Sequence, residues 1–116
     1  MLDLDVEAGR VHLVLTNCGD AVATNVGVEF SRPLIGLGGS VDVSELPVFK
    51  RLGVLRPGRT LRIFWDAAAA LGDQAAPFSA SVSWSDRSSR ARQRVEYEHD
   101  PSIYVRWPEC VDRPPR

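Results

Sequence analysis

The stretch Phe78–Asp86, "FSASVSWSD", constrains the fold more than any other part of the chain. Phe78, Ala80, Val82 and Trp84 alternate with four serines at 79, 81, 83 and 85. Successive side chains point to opposite faces only in a β-strand, so this period of two describes a strand with one apolar and one wet face. The same period recurs along the chain. Val11, Leu13 and Leu15 alternate with His12, Val14 and Thr16. Val26, Val28 and Phe30 alternate with Asn25, Gly27 and Glu29. Leu61, Ile63 and Trp65 stand against Arg62 and Phe64. In "RARQRVEYE", Ala91, Gln93, Val95 and Tyr97 oppose Arg90, Arg92, Arg94 and Glu96. One greasy and one wet face is the pattern of antiparallel sheets that bury a single side.

Turn chemistry separates these strands. Asn17-Cys18-Gly19-Asp20 holds three turn-forming residues, and Pro33 ends the strand before it because it cannot donate to a ladder. Arg56-Pro57-Gly58-Arg59 has proline and then glycine at its centre, the signature of a type II turn. Asp86-Arg87-Ser88-Ser89 reads as a polar hairpin connection. The segment "DAAAALGDQAA" is the one helical signal, with Asp66 as cap and Gly72 as stop, and it amounts to a short helical connection. Residues 34–52 read as a long irregular connection with a short strand at Val41–Val43.

With an N-terminal strand at Leu2–Val6, the chain has about seven strands. That number with so little helix points to an all-β fold, an immunoglobulin-like antiparallel β-sandwich. Its 116 residues suit one domain, expected over 1–110, with 111–116 a flexible tail. Trp84 is expected in the core between the sheets.

The formal net charge of −1 gives no reason to expect nucleic acid or an anionic membrane as partner. Residues 51–116 nonetheless hold eleven bases against eight acids, which concentrates positive charge in the C-terminal half. No apolar run reaches the roughly 20 residues a spanning helix needs, so the chain reads as soluble, either cytoplasmic or the soluble part of a cell-envelope protein. Cys18 and Cys110 are too few for a disulfide framework, and the sequence leaves open whether they are bridged.

Three patches resemble bacterial immunoglobulin-like domains of the cell-adhesion-related (CARDB) group. They are Asn17, Gly19, Ala23, Asn25 and Val26 in "LTNCGDAVATNVGVEF"; Leu55, Pro57 and Gly58 in "LRPGRTLRIFW"; and Trp84 and Asp86 in "VSWSD". The resemblance implies a sandwich module within a larger or membrane-anchored protein. It implies little about function, because this fold serves unrelated roles.

Catalytic signals are sparse. Cys18 is the candidate nucleophile, but His12 lies six residues back along a strand, about 20 Å away at 3.3 Å per residue. His99 follows the last strand. "GLGGS" at 36–40 lacks the helix start and the Gly-Lys-Ser/Thr ending of a phosphate loop. Asp3, Asp5 and Glu7 share one strand face, but no loop carries the dense acidic spacing a calcium site uses. No catalytic residue, cofactor or metal is expected. The surface feature that stands out is the arginine row Arg90, Arg92 and Arg94, with Arg87 in the hairpin before it. Strand neighbours two apart sit about 6.6 Å from each other, so the row makes a positive stripe. It reads either as an edge strand protected by charge or as a docking surface. Phe64, outward-facing, is the other expected contact residue. The sequence therefore points to a non-catalytic interaction or spacer module that binds an unknown protein partner, with self-association among the options. Nucleic acid and direct membrane binding are not expected. A carbohydrate-binding module is the alternative, needing an exposed aromatic pair from Phe64, Tyr104 and Trp107, and a thiol enzyme using Cys18 stands third.

Overall fold

A computed structural model describes residues 1–86 and 89–102, with the side chains of Ser89 and Arg90 excepted. The strands and one helix run in the order β1 (Leu2–Glu7), β2 (Arg10–Thr16), β3 (Ala23–Phe30), β4 (Ile35–Gly36), β5 (Val41–Asp42), α1 (Pro47–Lys50), β6 (Leu52–Leu55), β7 (Thr60–Ala67), β8 (Phe78–Asp86) and β9 (Ser89–His99). Two antiparallel sheets are built from seven of these strands, one ordered β1-β2-β7 and the other β6-β3-β8-β9. This is the immunoglobulin-like sandwich expected from the alternation. The remaining two strands, β4 and β5, form a small separate hairpin.

The inward faces are the ones the period of two selects. Leu2, Leu4, Val11, Leu13 and Leu15 come from the three-stranded sheet, and Val26, Val28, Phe78, Ala80 and Val82 from the four-stranded one. Burying a residue of this kind is worth roughly 1.5–3 kcal/mol, and this shared core is what holds the two sheets together. At the centre lies Trp65, fully buried, with its ring edge-on to Phe78 at 5.7 Å.

Trp65 continues the inward alternation of Leu61 and Ile63, and the alternation breaks at the residue after it. The β2–β7 register passes from Val11↔Asp66 to His12↔Phe64, which leaves Trp65 as the extra residue of a bulge. A bulge lets two consecutive side chains point inward, and Trp65 and Asp66 are both buried. The indole Nε1–H donates to Ile35 O at 3.1 Å, and the Asp66 carboxylate accepts from Gly38 N and Ala67 N. The β4–β5 hairpin is thus fastened to the bulge. Gly36 is required there, because a Cβ would lie 2.1 Å from Trp65 O.

Three expectations need correction. Asp66 caps no helix. It belongs to β7, and the alanine-rich segment after it forms two short 3-10 turns, Ala68–Ala70 and Gly72–Ala75. Trp84 is half-buried and packs against the margin of the core, with Trp65 in the central position. Residues 34–52 are also more regular than expected. The strand there is Val41–Asp42, and Asp42 Oδ1 accepts from Ser44 N and Leu34 N to start the 3-10 turn Val43–Glu45. Helix α1 follows with Pro47 at its first position, where a missing N–H costs nothing.

The turns behave as their residues require. Gly58 takes φ +76° and Arg59 N donates to Arg56 O, closing the type II turn. Asn17 ties this turn to the β2–β3 connection. Its Nδ2 donates to Ala21 O and Leu55 O, its Oδ1 accepts from Gly19 N, and its carbonyl accepts from Gly58 N. Among the described residues no helix is long and apolar enough to cross a membrane.

Candidate interaction surface

The sequence nominated Arg87, Arg90, Arg92, Arg94 and Phe64 as contact residues, and the fold divides them. Arg87 lies outside the described residues, as do Tyr104, Trp107 and Cys110. Arg90 falls on β9, its side chain outside the description. Arg92 and Arg94 stand on the outer face of the four-stranded sheet, while Phe64 stands on the outer face of the other sheet. The arginines and Phe64 cannot meet one partner surface together.

β9 is an edge strand, hydrogen-bonded to β8 alone among the described residues. Eleven residues long, it exceeds every other strand of the fold. Its two described arginines lie down across their own sheet. Arg92 Nη2 donates to Asn25 O at 2.6 Å and to Ser83 Oγ at 3.0 Å, and Arg94 Nη2 donates to Ser81 Oγ at 3.0 Å. The alternating serines of β8 are therefore the acceptor row for the arginines of β9.

Two features of β3 permit this. The β3–β8 register slips between Thr24 and Gly27, and Asn25 sits there with φ +51°, a conformation asparagine tolerates better than most residues. Gly27 has no side chain, and a Cβ on it would come within 3.6 Å of the Arg92 guanidinium. Both arginines remain exposed.

The sequence put Glu96 on this face but gave it no role, and Glu98 was not considered. Glu96 and Glu98 continue the face on which Arg92 and Arg94 lie, since all four are even-numbered residues of one strand. Charge along β9 is consequently segregated, positive toward the hairpin with β8 and negative toward the strand's end. The signal was present as alternating arginines followed by alternating glutamates. On the opposite face of β9, Val95 is 40% exposed and Tyr97 half-buried, because the strand runs along the rim of the sandwich.

Phe64 is 37% exposed and its ring packs edge-on against His12 at 5.6 Å. Beside it, Arg62 bonds Asp5 and Glu7, with His12 Nδ1 3.4 Å from its guanidinium. The acidic face of β1 is thereby answered by a neighbouring base, and exposed pairs of this kind contribute about 0–1 kcal/mol. No group of three His, Cys, Asp or Glu among the described residues is arranged to hold a metal ion.

Cys18 is exposed on the β2–β3 connection, at the mouth of a cleft of about 250 Å³ that Met1, Asn17, Val82 and Trp84 help to line. His99 sits at the other end of β8, its ring 5.6 Å from Phe78. Among the described residues neither histidine lines the cleft that holds the thiol.

A family model described as Domain of unknown function (DUF8453) matches residues 1–105, which span every strand of the sandwich. Neither a curated protein nor a solved structure matches the chain.

Proposed function

The chain belongs to the DUF8453 family, and from that premise we propose that it is a non-catalytic interaction module whose contact surface is the β9 edge. The observation that carries this reading is β9 itself: long, unpaired on one side among the described residues, and bearing exposed arginines. An edge strand offers a row of unpaired N–H and C=O groups, and added strands gain affinity from those backbone bonds. Charges on the strand decide which partner is admitted. The resemblance to CARDB domains supports the same role, as a rigid module within a larger or anchored bacterial protein. Catalysis by Cys18 finds no support in its surroundings. A carbohydrate-binding role finds no coplanar exposed aromatic pair among the described residues, where Phe64 stands beside a histidine and Trp84 is half-buried.

The test is site-specific photocrosslinking with a benzophenone amino acid placed at Arg94, Phe64 or Cys18 in turn. Adducts formed from position 94 and absent from 64 and 18 are the expected result. Adducts confined to position 64 or 18 would move the surface elsewhere, and the absence of adducts from all three would remove the interaction reading.

A further inference from the structure

The ladder shows which backbone groups of β9 point outward. Ser31 N donates to Ser79 O at 2.8 Å, and β3 meets β8 at Glu29↔Ser81 and Gly27↔Ser83. Hydrogen-bonding direction alternates along a strand, so the odd residues of β8 turn their N–H and C=O toward β3 and the even ones toward β9. Ala80, Val82 and Trp84 face Tyr97, Val95 and Gln93. The backbone groups of Arg92, Arg94, Glu96 and Glu98 therefore point away from the sheet.

We propose that this edge takes a second copy of the same chain, with β9 pairing antiparallel to β9 of the other protomer about a two-fold axis at Val95. The inference rests on the reading of β9 as the contact surface and names its occupant. Charge selects both the partner and the register. Outward groups meet outward groups only when the numbers of facing residues add to an even total. A total of 190 sets Arg92 against Glu98 and Arg94 against Glu96, and symmetry repeats each pair. A shift of two in one direction sets Arg94 against Arg94, and in the other Glu96 against Glu96. Either shift keeps opposite-charge pairs on both sides but puts a like pair on the axis. Like charges directly opposite each other destabilise a pair of strands, so the total of 190 is the one of the three with no like pair. A parallel in-register copy would lay arginine on arginine and glutamate on glutamate.

The other face of β9 agrees with this axis. Val95, 40% exposed in the single chain, would stand opposite its own copy in a non-hydrogen-bonded pair, where Cα atoms approach to about 4.5 Å. Gln93 would stand opposite the half-buried Tyr97. The four outward residues of each strand supply about eight backbone hydrogen bonds across the axis. To reach the facing glutamates, Arg92 and Arg94 leave their serines. Arg92's bonds are exposed, and its acceptors there, the Asn25 carbonyl and the Ser83 hydroxyl, are neutral, whereas the facing carboxylate is ionised as well as the guanidinium. The product is an isologous dimer with one continuous eight-stranded sheet.

Sedimentation velocity on the full chain from micromolar to near-millimolar concentration tests this, using two charge variants. Arg92→Glu/Arg94→Glu makes the edge acidic throughout, and Glu96→Arg/Glu98→Arg makes it basic throughout. The wild-type chain is expected to dimerise with rising concentration. Each variant, checked for an unchanged circular dichroism spectrum, is expected to dimerise at least about tenfold more weakly, because four opposite-charge pairs become four like-charge pairs. An equimolar mixture of the two is expected to recover wild-type association as a heterodimer, since every facing pair is again of opposite sign. A wild-type chain that stays monomeric, variants that dimerise as the wild type does, or a mixture that fails to recover would each overturn the proposal. A monomeric wild type that still crosslinks to another protein from position 94 would refute self-pairing and leave the interaction reading standing.

Discussion

Single residues carry more of this fold than their chemistry suggests. Gly36 matters because of the 2.1 Å between its would-be Cβ and Trp65 O, a clash with backbone that no rotamer change relieves. Gly36→Ala should cost about 1–3 kcal/mol in denaturant melts, as an overpacked site does. Gly53→Ala, where a Cβ meets nothing within 4 Å, should change stability by no more than about 0.5 kcal/mol. Equal effects from the two would show that the hairpin does not sit against the Trp65 backbone. The two tryptophans separate in the same way. Trp65→Ala should cost about 3–5 kcal/mol, while Trp84→Ala, half-buried at the mouth of the cleft, should cost less than half as much. The sequence puts both tryptophans on apolar strand faces, and alternation alone does not rank them. Trp65 takes the centre, where the bulge turns Asp66 inward beside it, while Trp84 lies at the margin of the core. Asn17 was legible as a turn former, but its bond to the Leu55 carbonyl was not, since it depends on where a residue 38 positions away comes to lie. Asn17→Ala should cost about 1–3 kcal/mol by leaving the partly buried Ala21 and Leu55 carbonyls unpaired.

At the scale of elements, every long strand was readable from its alternation, because a strand that buries one face must repeat every two residues. The alanine-rich segment misled for an equally physical reason. Alanine's helix propensity is a fraction of a kcal/mol per residue, and the anchoring of Asp66 in the bulge outweighs it. β9 also carries a pH-sensitive group. Burial, and secondarily the charge of Cys18, push the Tyr97 phenol above its ordinary 10.0. A raised folded value means the contribution is complete below pH 10 and is lost as pH rises through the folded value. The melting temperature should therefore fall on the alkaline side of about pH 10, and Tyr97→Phe should flatten that fall. An identical alkaline slope in both proteins would show that Tyr97 is not responsible.

For the whole molecule, the sandwich and its approximate strand count followed from pattern and turns, whereas the sheet order did not. Nothing in the sequence says that β9 closes the four-stranded sheet as an edge, and the proposed contact role of β9 depends on that placement. Once β9 is at the rim, the run of arginines followed by glutamates acquires a geometric meaning that a list of charged residues lacks. Backbone hydrogen exchange along β9, followed residue by residue as a function of protein concentration, tests this account most directly. At low concentration Gln93, Val95 and Tyr97, bonded to β8, should exchange slowly, and Arg92, Arg94, Glu96 and Glu98 should exchange fast. At high concentration the four fast amides should become protected as the edge is covered. Protection of the even amides that is already present and independent of concentration, or even amides that stay fast when the protein is concentrated, would contradict the central claim that β9 is an open edge awaiting a partner strand.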